Sequence, residues 1–192
     1  MKASLGKPAP NSTAQATSNH QVELSALKGQ SVVLYFYPKD NTPGCASEGE
    51  SFKAAHAQFQ EANTQVYGIS KDSLESHELF KNQLQLPFEL IADTEGQLCE
   101  LFDVLRTKKD GSDTPIIERS TFLIDQDGIL QHEWRRVRIK KHVNDVLQAA
   151  QALFAVTKAE NAPDTEIMTD VTPLIAENPL NAENKSLIPV TD

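Results

Sequence analysis

The chain has 192 residues, 39% of them hydrophobic, which predicts one domain with a substantial core. Its net charge of −9 argues against a nucleic-acid partner or an anionic membrane, because both favour a basic surface. Only two cysteines occur, Cys45 and Cys99, which excludes a secreted disulfide scaffold, and no apolar run has the length of a signal peptide or membrane span. We therefore expect a cytoplasmic protein, in which a conspicuous cysteine is more commonly reactive than structural.

The first third of the chain leads into a buried strand and a helix. The polar segment 6–20 is expected to form a loop or a short edge strand, and 24–29 a turn. The continuous β-branched and aromatic run 31–37 is typical of a strand buried on both faces. Thr42 is a favourable N-cap, and Pro43 a favourable first residue, for the helix that follows.

Strands and helices continue to alternate beyond this helix. The hydrophobic spacing predicts strands at 64–70, 88–91, 119–125 and 129–137, helices at 73–86, 94–104 and 139–156, and a charged loop at 106–115. The last two strands are joined by the tight turn Asp127-Gly128 and form a hairpin. The order predicts an α/β fold with a central mixed sheet flanked by helices on both faces.

The composition changes near residue 157. Beyond it lie four prolines, and acidic residues outnumber basic ones seven to two. We therefore divide the chain into a folded domain, 1–157, and an acidic, proline-containing tail, 158–192, that is expected to be disordered. A docking segment is the alternative, because the tail also contains several Ile, Leu, Val and Met side chains.

Cys45 lies in the first turn of the predicted helix, three residues after Thr42. A free cysteine has a pKa of about 8.5, so only about 3% is thiolate at pH 7. A helix N-terminus stabilises an anion by about 0.3–1 kcal/mol, or up to about 2 when partly buried. A reactive thiol with a pKa near 6 requires roughly 3.4 kcal/mol. A cation is therefore expected beside the sulfur, and an arginine suits that position because it stays charged when desolvated.

Two segments match a known family. Pro38, Thr42 and Cys45 form the pattern Pro-x-x-x-Thr-x-x-Cys within Phe-Tyr-Pro-Lys-Asp-Asn-Thr-Pro-Gly-Cys, at a strand-to-helix junction. This segment resembles the active-site signature of the peroxiredoxins, and in particular their Q-type branch, also called bacterioferritin-comigratory proteins. The run 118–125, Glu-Arg-Ser-Thr-Phe-Leu-Ile-Asp, resembles the family strand that carries the active-site arginine. The similarity covers about residues 5–154.

The resemblance implies a thioredoxin-like fold and a catalytic site at Cys45. The protein would be a thiol-dependent peroxidase that reduces hydrogen peroxide and organic hydroperoxides through a cysteine sulfenic acid. Thr42 would hold and orient the peroxide, and Arg119 would stabilise both the thiolate and the departing oxygen. Pro38 would shield the pocket from bulk water.

Two more residues would support this site. The backbone N–H groups of Gly44 and Cys45 would donate to negative charge in the transition state. Glu48, one turn beyond the cysteine, would hold the arginine in place. No cofactor is implied, and the five histidines show no metal-ligand spacing.

The chain departs from the family at the recycling step. Q-type members commonly carry a second, resolving cysteine either five residues after the first or on the following helix. This chain has Glu50 and Lys81 there. We therefore expect a one-cysteine cycle in which thioredoxin, glutaredoxin or glutathione reduces the sulfenic acid. Cys99 is expected to be a buried structural thiol; a resolving cysteine and an unrelated reactive thiol are the alternatives.

Other interpretations remain open from the sequence. A thioredoxin-like binding or chaperone module with vestigial chemistry is the second functional class, supported only by the long tail. The basic run 135–141, Arg-Arg-Val-Arg-Ile-Lys-Lys, is expected to be a solvated strand edge, although it would also suit an acidic partner. A monomer or a weak homodimer is expected.

Overall fold

The computed structural model describes residues 2–107 and 115–160. Its strands are β1 (Thr13–Ala16), β2 (His20–Glu23), β3 (Ser31–Phe36), β4 (Thr64–Ser70), β5 (Leu90–Ala92), β6 (Leu105–Arg106), β7 (Ile116–Ile117), β8 (Ser120–Ile124) and β9 (Leu130–Trp134). Its helices are α1 (Pro43–Glu61), α2 (Leu74–Leu84), α3 (Gln97–Leu101) and α4 (Ile139–Glu160), with a 3₁₀ turn at Leu24–Leu27. None of the helices in these ranges is long and apolar enough to cross a membrane.

Seven strands form one sheet in the order β2-β1-β5-β4-β3-β8-β9. Strand β4 pairs in parallel with β3 and β5, whereas the pairs β3–β8, β8–β9, β1–β5 and β1–β2 are antiparallel. Strands β6 and β7 form a separate two-stranded ladder. The predicted mixed sheet is therefore confirmed.

Strand β3 lies inside the sheet, and all six of its residues are buried. Its side chains alternate between two cores, as the period of a strand requires. Val33 and Tyr35 face a core that includes side chains of α1, α2 and α4, whereas Val32, Leu34 and Phe36 face a core that includes side chains of α3. Helices thus cover both faces of the sheet, as predicted.

The helices differ from the prediction at their ends. Helix α3 is only five residues long, because Asp93 accepts hydrogen bonds from the N–H groups of Leu98 (3.1 Å) and Cys99 (2.8 Å) and fixes its start. Its end follows from Asp103, whose φ of 52° is incompatible with a continuing helix. Helix α4 extends through residues 158–160, which the sequence assigned to the tail. The tail from 161 onward lies outside the described residues, as does 108–114 of the predicted charged loop.

The segment predicted as a loop or an edge strand contains the β1–β2 hairpin at the end of the sheet. Strand β1 contributes the fully buried Ala16 to the core. Its remaining residues and most of β2 are exposed or half-buried, which explains the weak hydrophobic pattern. A polar segment can thus form an edge hairpin when one side chain per strand reaches the core.

Candidate active site

The site is built where β3 ends and α1 begins. Thr42 has the extended backbone of an N-cap residue (φ −92°, ψ 144°), and the N–H of Ala46 donates to its carbonyl at 2.9 Å. Its hydroxyl donates to the carbonyl of Lys39 (3.2 Å) instead of capping the helix. The N–H groups of Gly44 and Cys45 lie in the first turn, where a helix offers them no internal acceptor.

Arg119 joins two acidic groups that lie on the same helix. Its Nη2 donates to the Sγ of Cys45 at 3.2 Å, and its Nη1 pairs with the Oε2 of Glu48. Cys45 is 2% exposed and Glu48 is fully buried. The arginine immediately precedes β8, which pairs with β3, so the sheet brings these three side chains together.

Glu48 is an unusual carboxyl group because it is buried beside a cation and only partly hydrogen-bonded. Burial raises its pKa to about 7, although Arg119 acts in the opposite direction. Its second oxygen, Oε1, has no hydrogen-bond partner within the described residues. The site therefore holds an arginine beside a carboxyl group that burial makes easier to protonate than an exposed one.

The start of α4 forms one wall of the site, which the sequence did not reveal. The Cδ1 of Ile139 lies 3.5 Å from the position that a Cβ on Gly44 would occupy, and the Nη2 of Arg119 lies 3.6 Å from that position. Nearby, the N–H of Val137 donates to the Arg119 carbonyl at 3.0 Å. Pro38, by contrast, is exposed, four residues before Thr42 in the loop between β3 and α1.

Besides Glu48, the buried side chain of His142 also lies near Arg119. Its Nε2 lies 2.8 Å from the Oγ1 of Thr121, and burial is the main reason that its pKa falls to about 4. The imidazole is therefore neutral at neutral pH, and its hydrogen bond connects α4 to β8. No motif marks this residue, because its neighbours are contributed by other elements of the chain.

A buried polar network anchors the loop that carries Thr42. Asp40 is 3% exposed and accepts hydrogen bonds from the hydroxyls of Tyr37 (2.8 Å) and Ser76 (2.7 Å). The Nδ1 of His77 lies 2.9 Å from the same carboxylate. Burial alone would raise the pKa of Asp40, but its hydrogen bonds, above all from His77, lower it overall. The network ties the active-site loop to α2, and the sequence analysis missed it because polar residues have no hydrophobic period.

The two usual resolving positions have different environments. Glu50 is exposed on α1. Lys81 on α2 forms an ion pair with Glu89 (2.6 Å) and donates to the hydroxyl of Ser18 (2.9 Å), so it fastens α2 to the β1–β2 hairpin. Neither side chain contributes a thiol.

Cys99 lies away from the site. It is fully buried in the core that contains Val32 and Phe36, on the opposite face of the sheet from Cys45. Burial, together with nearby Asp93, raises the pKa of this thiol well above its ordinary value. Both features disfavour a thiolate at Cys99.

Comparison with known proteins gives consistent matches over the folded part of the chain. The AhpC/TSA family profile matches residues 5–133. Peroxiredoxin Bcp of Bacillus subtilis is 46% identical over 149 residues, which cover 77% of this chain and 95% of that protein. The putative peroxiredoxin bcp of Coxiella burnetii is 40% identical over 148 residues, covering 77% and 98%.

Solved structures agree with the sequence matches. A structure of the bacterioferritin comigratory protein of Xanthomonas campestris has a TM-score of 0.74 at 36% identity, and it covers 80% of this chain and 99% of that one. This similarity confirms the thioredoxin-like fold that the motifs implied. Fold, sequence and family profile agree that the chain belongs to the AhpC/TSA family and is a peroxiredoxin of the Bcp/Q branch, a thiol-dependent peroxidase.

Proposed function

We propose that Cys45 is the peroxidatic nucleophile and that Arg119 is the cation that stabilises its thiolate. The observation that carries the proposal is the 3.2 Å contact from Nη2 of Arg119 to Sγ of a cysteine that is only 2% exposed. A hydrogen bond from a charged donor contributes about 1.5–3 kcal/mol and the helix N-terminus about 0.3–1 kcal/mol. Their sum approaches the roughly 3.4 kcal/mol that a reactive thiolate requires.

The first step is a displacement at oxygen. The thiolate attacks the terminal oxygen of the hydroperoxide, forming the S–O bond of a sulfenic acid as the O–O bond breaks. The departing oxygen takes a proton and leaves as an alcohol, or as water when the substrate is hydrogen peroxide. Arg119 and the N–H groups of Gly44 and Cys45 stabilise the negative charge that develops, Thr42 orients the peroxide, and Pro38 shields the rim.

We extend this activity to hydrogen peroxide and organic hydroperoxides. The described structure of the Xanthomonas campestris relative concerns alkyl peroxide reduction, which supports organic hydroperoxides as substrates. Both kinds of substrate present the same terminal O–OH group to the sulfur. The first step is therefore the same for both.

The recycling step is proposed to use an external thiol. A Cys45–Cys99 disulfide would require Cα atoms within about 7 Å. Its sulfurs belong to cores on opposite faces of the sheet, so forming it would disrupt the packing of β3. An external thiol needs no such rearrangement, which favours thioredoxin, glutaredoxin or glutathione as the reductant.

The setting of this cycle is also a proposal. We place it in the cytoplasm, where such thiols are kept reduced. We also propose a monomer or a weak homodimer. The exposed large apolar side chains of the described residues are few and lie on separate segments of the chain: Leu5, Leu79, Ile116 and Val156.

Two single variants test the assignment of the nucleophile. Cys45→Ser is expected to abolish peroxide turnover with a small-thiol reductant, whereas Cys99→Ser retains it, because only Cys45 contacts the arginine. Circular dichroism and thermal unfolding establish that both variants are folded. Substantial turnover by folded Cys45→Ser would refute the assignment.

A further inference from the structure

The start of α4 carries positive charge directly beside the active site. We propose that the exposed cations around Ile139, which we call the basic rim (Arg138, Lys140 and Lys141), favour a small thiol that bears a carboxylate as the reductant of the Cys45 sulfenic acid. The inference rests on the proposed one-cysteine function and adds the charge and size of the reductant.

The position of the basic rim follows from the residue at its centre. The Cδ1 of Ile139 lies 3.5 Å from where a Cβ on Gly44 would be, next to Cys45 in the first turn of α1. Arg138 and Lys140, on either side of Ile139, are exposed, as is Lys141. The basic rim therefore borders the wall of the site that Ile139 forms.

Two residues with a left-handed backbone lie in this segment. Arg136 has a φ of 51° and Lys141 a φ of 70°, so two non-glycine residues adopt the left-handed conformation within six positions.

The other two cations of the run 135–141, Arg135 and Arg136, already have partners within the protein. Arg135 turns inward, where it donates to the carbonyls of Phe102 and Asp103 and lies over the ring of Phe122. Arg136 pairs with Glu118 at 3.2 Å.

The basic rim has no such partners. Within residues 2–107 and 115–160, Arg138, Lys140 and Lys141 form no ion pair. The nearest acidic residues in sequence are Glu133, which pairs with Arg135, and the exposed Asp145 on α4, four residues after Lys141. The basic rim therefore offers free positive charge to a ligand, on a protein whose net charge is −9.

The size of the reductant follows from the burial of the sulfur. Cys45 is 2% exposed, and Glu50 and Lys81 occupy the positions from which a resolving cysteine would transfer the oxidation elsewhere. A thiol fixed on a protein surface would have to be brought up to this buried sulfur together with the protein around it, whereas a small thiol needs only a narrow opening. The carboxylate of that thiol would then remain outside, within the field of the cations of the basic rim.

The reduction balances with two equivalents of the thiol. The first thiolate attacks the sulfenic sulfur, the S–S bond of a mixed disulfide forms, and the hydroxyl group leaves as water after taking a proton. The second thiolate attacks the outer sulfur of that disulfide. Cys45 is released as a thiolate, and the reductant leaves as its own disulfide.

The experiment measures how the charge of the thiol affects reduction of the preformed sulfenic acid. The full chain is oxidised with one equivalent of hydrogen peroxide and mixed with 3-mercaptopropionate, 2-mercaptoethanol or cysteamine, which carry negative, zero and positive charge beside the thiol. Rates are expressed per thiolate, and the readout is the ratio of the anionic to the neutral thiol. We expect a ratio above one at 10 mM salt that approaches one at 1 M salt, where the Debye length is about 3 Å.

Two double variants locate the effect. Arg138→Gln/Lys140→Gln is expected to lower the ratio by roughly three- to five-fold at 10 mM salt. This is the effect expected from removing two positive charges that act through water on a carboxylate about 10 Å away. Lys7→Gln/Lys28→Gln changes the net charge equally, but Lys28 lies against Gly128 in the β8–β9 turn, at the other end of β8 from Arg119. This control is expected to leave the ratio unchanged.

Each other outcome contradicts the inference. Equal ratios in the wild-type protein and the Arg138→Gln/Lys140→Gln variant would overturn it, as would an equal loss in the control. Faster reduction by an equal concentration of an acidic thioredoxin than by 3-mercaptopropionate would overturn the assignment to a small thiol. Failure to detect a Cys45 sulfenic acid would overturn the proposed function itself, whereas its formation followed by charge-independent reduction would overturn only this inference.

Discussion

Replacing Glu48 with glutamine is expected to remove a pH-dependent loss of stability. Burial raises the pKa of Glu48 from 4.5 to about 7, so the folded protein binds this proton more tightly than the unfolded chain. The stabilising contribution of the protonated form is therefore present below pH 4.5 and lost as the pH rises to 7. A shift of this size corresponds to about 3 kcal/mol, most of which falls between pH 5 and pH 8.

The wild-type stability curve alone would hide this effect. Burial lowers the pKa of His142 from 6.5 to about 4, so the unfolded chain binds that proton more tightly. Its contribution has the opposite sign, because stability increases between pH 4 and pH 6.5. The two contributions are similar in size and largely cancel over that range. Only the difference between matched variants isolates the carboxyl group.

The assay is urea unfolding at pH 5 to pH 8 in a Cys45→Ser background, so that oxidation of this sulfur cannot contribute to the curves. We expect the unfolding free energy of the Glu48 protein, relative to its Glu48→Gln variant, to fall by about 2–3 kcal/mol across this interval. Glu50→Gln is the matched control, since Glu50 is exposed on the same helix and its substitution should give a flat difference. Parallel curves for the Glu48 pair would refute the reasoning.

Three further predictions follow from the same structure. Arg119→Met is expected to slow the reaction with peroxide about 100-fold or more in stopped-flow measurements, and a rate within ten-fold of the wild type would contradict its role. Gly68→Ala would place a Cβ 2.6 Å from the Oη of Tyr35, so urea unfolding should show a loss of about 1–3 kcal/mol, and an unchanged midpoint would argue against this close approach. Truncation after Glu160 is expected to preserve the melting temperature and the peroxide rate, because the removed segment is acidic and contains four prolines; a clear fall in either would show that it contributes to the domain.

The sequence predicted the parts of the fold that depend on local patterns. The run 31–37 indicated a strand buried on both faces, and β3 has that environment because each of its faces packs into a separate core. The junction of Thr42 and Pro43 likewise marked the start of α1, since capping preferences act within a few residues. Helix ends were less predictable. Helix α3 stops after one turn because of an Asp side chain and a left-handed residue, neither of which alters the hydrophobic period.

The site was only partly predictable for a related reason. Cys45 was identified by position and motif, but Arg119 is 74 residues away and by itself resembles a surface charge at a strand end. It was identified only through the resemblance of its strand to that of the family. The Asp40–His77 pair and the contact of Ile139 with the first turn of α1 escaped detection, because each depends on elements that meet only in the folded chain.

The most direct test of the central claim is the mass of the intact protein after one equivalent of hydrogen peroxide. The claim is that Cys45 forms a sulfenic acid with no partner in its own chain. A sulfenic acid adds about 16 Da, whereas a Cys45–Cys99 disulfide removes about 2 Da. We predict mainly the gain, lost in Cys45→Ser and retained in Cys99→Ser. Mainly the 2 Da loss, abolished by Cys99→Ser, would contradict the account and make Cys99 the resolving residue.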